Sequence, residues 1–259
     1  MTRRQERTAG AELLSTIVNR SPASESDYSE SRSLRFAAQR QERLAAGLAM
    51  IAGFVDAYGI ITYNTYLSFM SGNTTQAGYR TGQADFGAVW PSAIAIVSFV
   101  GGTFAGALLA HSAVRQTRRL VFGVVATSLA LIISFTRLGL VPAGIHIAVA
   151  SLAMGVMNTA LSRVGAQSVS LTFVTGTLNR LGTHLALAVR RSPLPDDSQG
   201  PWDTHMHRVL ALAGIWAGFL GGALLSGAAT PRFGAWVLLL PLLILSVLMA
   251  FDRTESAAV

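Results

Sequence analysis

The sequence predicts an all-α membrane protein with six transmembrane helices in two inverted three-helix repeats, each repeat carrying a broken, re-entrant half-helix segment. Three observations predict it. Apolar residues make up 51% of the 259 residues and charged residues only 13%, roughly half the charge of a soluble domain. Six stretches approach the ~20 mostly apolar residues that a crossing needs. Five short motifs recur in the same order in the two halves of the chain.

Taken in order, residues 1–42 read as a flexible cytoplasmic tail rich in Ser, Arg and Glu. The tail is too long and too acidic for a cleaved signal. The first repeat covers 43–138. Its crossings run from Leu44 to about Tyr63, from about Trp90 to Ala110, and from Leu120 to about Phe135. The second repeat covers 139–252, with crossings near Ala143–Leu161, Val209–Ser226 and Phe233–Phe251. Residues 253–259 form a short cytoplasmic tail. Two segments remain, Thr65–Arg80 and Gln167–Arg190. Each starts apolar, breaks at a Gly and continues polar.

The repeat shows in paired motifs. Gly53-Phe-Val-Asp56-Ala57 returns as Gly155-Val-Met-Asn158-Thr159, and Ser68-Phe-Met-Ser-Gly-Asn73 as Thr172-Phe-Val-Thr-Gly-Thr177. Gly102-Thr-Phe-Ala-Gly106 is matched with Gly218-Phe-Leu-Gly-Gly222. Charge then sets the orientation. All twenty basic residues are Arg, and they cluster in the leader and at Arg115, Arg118 and Arg119. Both clusters lie on the cytoplasmic side only if Thr65–Arg80 dips in and returns. Three crossings per half then invert one half relative to the other, a transporter plan. Both termini fall in the cytoplasm of a bacterial inner membrane. Arg80 and Arg232 are exceptions on the outer side.

The candidate site residues cluster at the two breaks. Ser71, Asn73 and Thr74 follow the first, and Thr175, Thr177 and Arg180 the second. Gly with flanking hydroxyls and amides suits a chain break and a helix start. Two half-helix N-termini and one Arg favour a small anion or carboxylate as solute. Asp56 lies near the middle of the first crossing, where an acid is costly. It can take a coupling proton, bind a cation, neutralise a buried Arg, or serve as an ion pair or helix cap. Its counterpart is the neutral Asn158. His184 lies one turn after Arg180 and titrates near neutrality. These three are read as coupling or charge-balance residues.

Other classes find little in the sequence. There is no Cys, no HExxH, no GxSxG and no Walker loop, so no enzyme, cofactor or metal site is assigned. The basic residues lack the interleaved aromatics of a nucleic-acid interface. The Arg-rich leader and Arg115–Arg119 face anionic lipid. Gly102/Gly106 and Gly218/Gly222 allow close helix packing, within one chain or between protomers. A homo-oligomer through either pair is one expectation.

Two signatures together resemble the YoaK-like family of bacterial membrane proteins. The first is Gly53-Phe-Val-Asp56-Ala57-Tyr58 with Phe69-Met-Ser-Gly-Asn-Thr74. The second is Ala153-Met-Gly155-Val-Met-Asn158 with Thr172-Phe-Val-Thr-Gly-Thr-Leu178 and Arg180-Leu-Gly182. The resemblance spans about residues 40–252 and departs from the family pattern at Met157, where that pattern usually has Gln. It implies a multi-pass membrane protein of unknown function. The residues themselves suggest a small secondary transporter or permease. A passive channel and a membrane scaffold or lipid-interacting protein are the alternatives.

Overall fold

The computed structural model describes residues 25–111, 117–139, 141–159, 163–164, 167–168, 174–194, 198, 200 and 202–256. The chain divides into two compact units, Met1–Arg40 and Gln41–Val259. Helix α1, Glu25–Tyr63, begins well inside the stretch expected to be a tail. Residues 25–42 are mostly helix formers, and extending a nucleated helix costs far less than starting one. Within the first unit, the Arg32 guanidinium lies over the Phe36 ring at 5.7 Å.

The remaining helices are α2 (Met70–Gly82), α3 (Phe86–His111), α4 (Thr117–Leu138), α5 (Ala143–Asn158), α6 (Val174–Val189), α7 (His205–Phe233) and α8 (Leu239–Ser256). All six apolar stretches read from the sequence are largely helical where described. Four candidate spans meet both length and apolarity: Arg32–Tyr63, Phe86–His111, Arg119–Thr136 and His205–Met249. Helix α5 is apolar but, at 16 residues, only about 24 Å long. The exception to helix among the described elements is a short antiparallel pairing of Arg163–Val164 with Gln167–Ser168.

The His205–Met249 span is not one rod. Gly234 has φ +54 and opens a 3-10 turn, Gly234–Leu238. Leu225 of α7 and Ile244 of α8 line one small cavity with Met50, Ile51 and Phe54 of α1. A continuous helix would separate Leu225 and Ile244 by about 28 Å, so the chain folds back at the turn. Pro241 sits in the first turn of α8, where its missing N–H costs nothing.

Packing follows the glycines. Each short helix packs on the long helix after it, α2 on α3 and α6 on α7, and α4 packs on α8. Two tight crossings join the halves. In the first, α7 lies against α1. A methyl on Gly53 would overlap the Phe219 carbonyl oxygen, and one on Gly222 would overlap the Met50 carbonyl oxygen. In the second, α3 lies against α5. Gly155 meets the Phe99 carbonyl oxygen in the same way, and Gly102 meets that of Leu152. The Thr103 hydroxyl donates to the Gly155 carbonyl at 3.4 Å across this crossing.

Two expectations change here. Gly102 and Gly106 are filled by α5, and Gly218 and Gly222 by α1. These glycines are spent on contacts within the chain, so they do not form an interface between copies. The matching contacts also pair Gly102 with Gly222, one turn on from the Gly218 that motif matching selected. Phe99-Val-Gly-Gly102 and Phe219-Leu-Gly-Gly222 are the stretches in equivalent contact. Glycines four apart in both helices make the two registers look alike in sequence.

Outside these crossings the helices present apolar side chains outward. Trp90 is 69% exposed and Phe104 66%. An apolar face of this extent suits lipid rather than water.

Gly102→Val and Gly222→Val should each cost about 1–3 kcal/mol through overpacking. Gly101→Val should cost nearly nothing, because open space lies beside Gly101. Thermal melts of the detergent-solubilised variants check this. Equal melting points for Gly101→Val and Gly102→Val would refute the crossing.

Candidate functional site

Helix α1 ends on an asparagine. Asn64 has φ 53, a left-handed conformation that Asn tolerates better than most side chains. The Asn64 amide donates to the Ile60 carbonyl at 3.1 Å and the Thr65 amide to that of Gly59 at 3.5 Å. A side chain at Gly59 would meet the Thr65 carbonyl oxygen at 2.7 Å, so glycine lets the chain turn back closely over its own helix.

The returning segment reaches Asp56, about two turns below the helix end. The Leu67 and Ser68 amides donate to Asp56 Oδ1 at 2.8 and 2.6 Å, and the Phe69 amide at 3.3 Å. The Ser68 hydroxyl donates to Oδ2 at 2.7 Å. Asp56 is 4% exposed. All these groups donate, a pattern that fits an acceptor-only carboxylate. Phe69 precedes α2 and offers no side-chain cap of its own. Asp56, carried on another helix, instead holds the three amides that lead into α2.

Two amides hold the segment from its other side. Asn73 is fully buried and pairs with the Tyr66 backbone in both directions. Its Nδ2 donates to the Tyr66 carbonyl at 2.7 Å, and its Oδ1 accepts from the Tyr66 amide at 3.1 Å. Gln76 Nε2 donates to the Asn64 carbonyl at 3.0 Å, and its Oε1 accepts from the Ser92 hydroxyl at 3.4 Å. The start of α2 therefore lies level with Asp56, and Gln76 lies level with the end of α1. Helix α2 runs alongside the last turns of α1 in the same direction, so the segment dips back and comes out again. At its far end Arg80 pairs with Asp85 at 3.1 Å, which neutralises an Arg that charge reasoning had left unexplained.

A cavity of about 480 Å³ opens beside this break. Ile60, Tyr66, Phe69, Ser71, Gly72, Thr75, Gln76 and Tyr79 line it. Ser71 is exposed at its wall. Thr74 is exposed and turned elsewhere, donating to the Met70 carbonyl at 2.8 Å. The lining carries no charged side chain. The amides of Leu67, Ser68 and Phe69, ahead of α2, serve Asp56, and a carboxylate there would repel an anion brought to the same turn.

Beyond the cavity, the Tyr58 and Tyr63 hydroxyls are 3.4 Å apart. The Tyr63 ring stacks on His146 of α5, with centroids 6.1 Å apart.

In the second half, Thr175 and Arg180 are exposed on α6 and Thr177 is buried. Asn158 is half-buried at the end of α5. His184 Nδ1 lies 3.0 Å from His205 Nδ1 at the start of α7. The segment 169–173, which leads into the second break, lies outside the described residues. Among the described residues, α2 and α6 do not form a packed pair. The candidates therefore fall into two groups, one on each short helix. Among the described residues no group of three His, Asp or Glu could hold a metal ion.

Sequence reasoning missed Ser68, Tyr66 and Gln76 as members of the first group. The available signal was an intramembrane acid followed, three turns later, by a chain break with unsatisfied amides.

The family described as "Protein of unknown function (DUF1275)" matches residues 44–251. The chain is similar to the UPF0700 transmembrane protein RA0705 of Rhizobium meliloti (strain 1021). The two are 30% identical over 185 residues, 70% of this chain and 74% of the relative. It is also similar to the UPF0700 transmembrane protein YoaK of Bacillus subtilis (strain 168). That identity is 28% over 152 residues, 56% of this chain and 67% of the relative. No solved structure matches. The resemblance to YoaK-like proteins therefore holds, and with the apolar helices it makes the chain a membrane protein.

Asp56→Asn should destabilise the protein by about 1–3 kcal/mol, because an amide replaces a charged acceptor of several donors. Asp56→Ala should cost more. Ser68→Ala should cost about 1 kcal/mol alone and less in the Asp56→Asn background. Denaturant or thermal unfolding of the four variants measures this. Additive losses would show that the two side chains do not share one interaction.

Proposed function

The chain belongs to the DUF1275 family of proteins of unknown function, and from that premise we propose that it is a small permease of the bacterial inner membrane. Six crossings form two inverted halves, with both termini in the cytoplasm. The observation that carries this reading is the cavity of about 480 Å³ at the first break. A chain break at membrane depth persists only where protein covers it or a wet cavity borders it, and a cavity beside the break supports a path for a solute. The matched contacts of Gly53 with Phe219 and Gly155 with Phe99 support an internal duplication.

The solute that suits the lining is a small, uncharged molecule with a hydrogen-bonding edge and an apolar body. Tyr66, Phe69 and Tyr79 supply surface, and Ser71, Thr75 and Gln76 supply polar contacts. This replaces the anion preference, because the carboxyl of Asp56 sits beside the start of the first short helix. A passive channel is the second reading. It is favoured by the occupation of both Asp56 oxygens in holding the break, which leaves that carboxyl little freedom to couple an ion.

The chain has no cysteine, so single cysteines report cleanly. Ser71→Cys should react with an impermeant thiol reagent added outside, and Thr175→Cys with the reagent added inside. Labelling of both from one face would refute the inversion. No labelling from either face would refute a water-accessible path. Uptake of uncharged solutes into proteoliposomes then separates the readings. A carrier accumulates its solute against a gradient, whereas a channel only equilibrates it.

A further inference from the structure

The junction of α6 and α7 gathers a set of titratable groups that the permease reading does not use. His205, the first residue of α7, is 6% exposed. Its Nδ1 is 3.0 Å from His184 Nδ1, and the ring centroids are 5.2 Å apart. Its Nε2 is buried with no hydrogen-bond partner among the described residues. The surrounding turn is firmly built. Thr204 caps α7 by accepting from the His207 amide at 3.1 Å. Asp203 and Arg208, both buried, form a two-pronged ion pair at 2.9 and 2.8 Å. On the other side His207 Nδ1 lies 3.6 Å from Glu42 of α1.

We infer that the His184–His205 pair is a proton-binding latch that holds α6 to α7 when it carries one shared proton and releases it when a second proton binds. The argument is stereochemical. A 3.0 Å contact between two ring nitrogens is a hydrogen bond only if one carries a proton and the other a lone pair. A second proton turns both into donors facing each other. The bond is lost, and the buried His205 ring gains an N–H without an acceptor, a costly state unless the ring reaches water. The charges around the pair pull in opposite directions. Arg208 and Arg180 oppose a second positive charge, and Asp203 favours it. Asp203 is itself committed to Arg208. His207 and Glu42 engage each other across the turn. A metal ion is a poorer occupant, because the described residues supply no third His, Asp or Glu donor. A proton needs only the two nitrogens present.

The latch stands whether or not the protein carries a solute, so its test uses none. Spin labels on Val189→Cys and Leu224→Cys, both exposed in the native chain, report the α6–α7 distance in nanodiscs. The distance distribution should be single at about pH 8 and move to longer distances by about pH 5. In His184→Gln and in His205→Gln that pH response should vanish. Histidine 15N NMR of the otherwise unsubstituted chain should show the second protonation of the pair at the same midpoint. Histidines that titrate while the helices stay in place would overturn the latch. So would a distance change that survives in both glutamine variants.

Discussion

The acceptance of three consecutive backbone amides by Asp56 is the interaction on which the rest of the first half depends. Irregular backbone deep in a membrane has no water to satisfy it, and the start of a helix leaves several N–H groups open. One carboxyl on a neighbouring helix answers the first need and, through the Phe69 amide, part of the second. Once Leu67, Ser68 and Phe69 are pinned, α2 starts level with Asp56 and its direction follows. Asn73 and Gln76 can then reach back to Tyr66 and Asn64.

The second constraint is distance between helices. Apolar side chains gain little by leaving lipid for another apolar surface, so membrane helices gain by close approach and dispersion contact. Gly53 and Gly222 let α1 and α7 touch backbone to backbone, and Gly102 and Gly155 do the same for α3 and α5. The two contacts tie the front of the chain to its back. They leave Trp90, Phe104 and Leu210 facing outward.

Much of this was legible in the sequence. Runs of apolar residues located the helices, because membrane helices need length and apolarity and little else. Asp56 stood out because an acid in such a run is expensive. Its partners did not, because backbone amides leave no trace in residue identity. Sequence proximity groups the residues around the first break as solute contacts, yet a helix rotates about 100° per residue. Ser71 and Thr75 face the cavity, while Asn73 turns into the protein. The second crossing of each half was aligned one turn out, since glycines recur every four residues there. His205 carries no such mark, because its partner, His184, is distant in sequence.

The sequence separations of these contacts also imply an order of assembly. The Asp56 cap closes over 11–13 residues, so it can form soon after that stretch leaves the ribosome. The contact of Gly53 with α7 must wait until Phe219 has been made. Short-range contacts close quickly and distant ones late. For most of its synthesis, then, α1 carries the Asp56 cap already closed while its glycines still wait for α7.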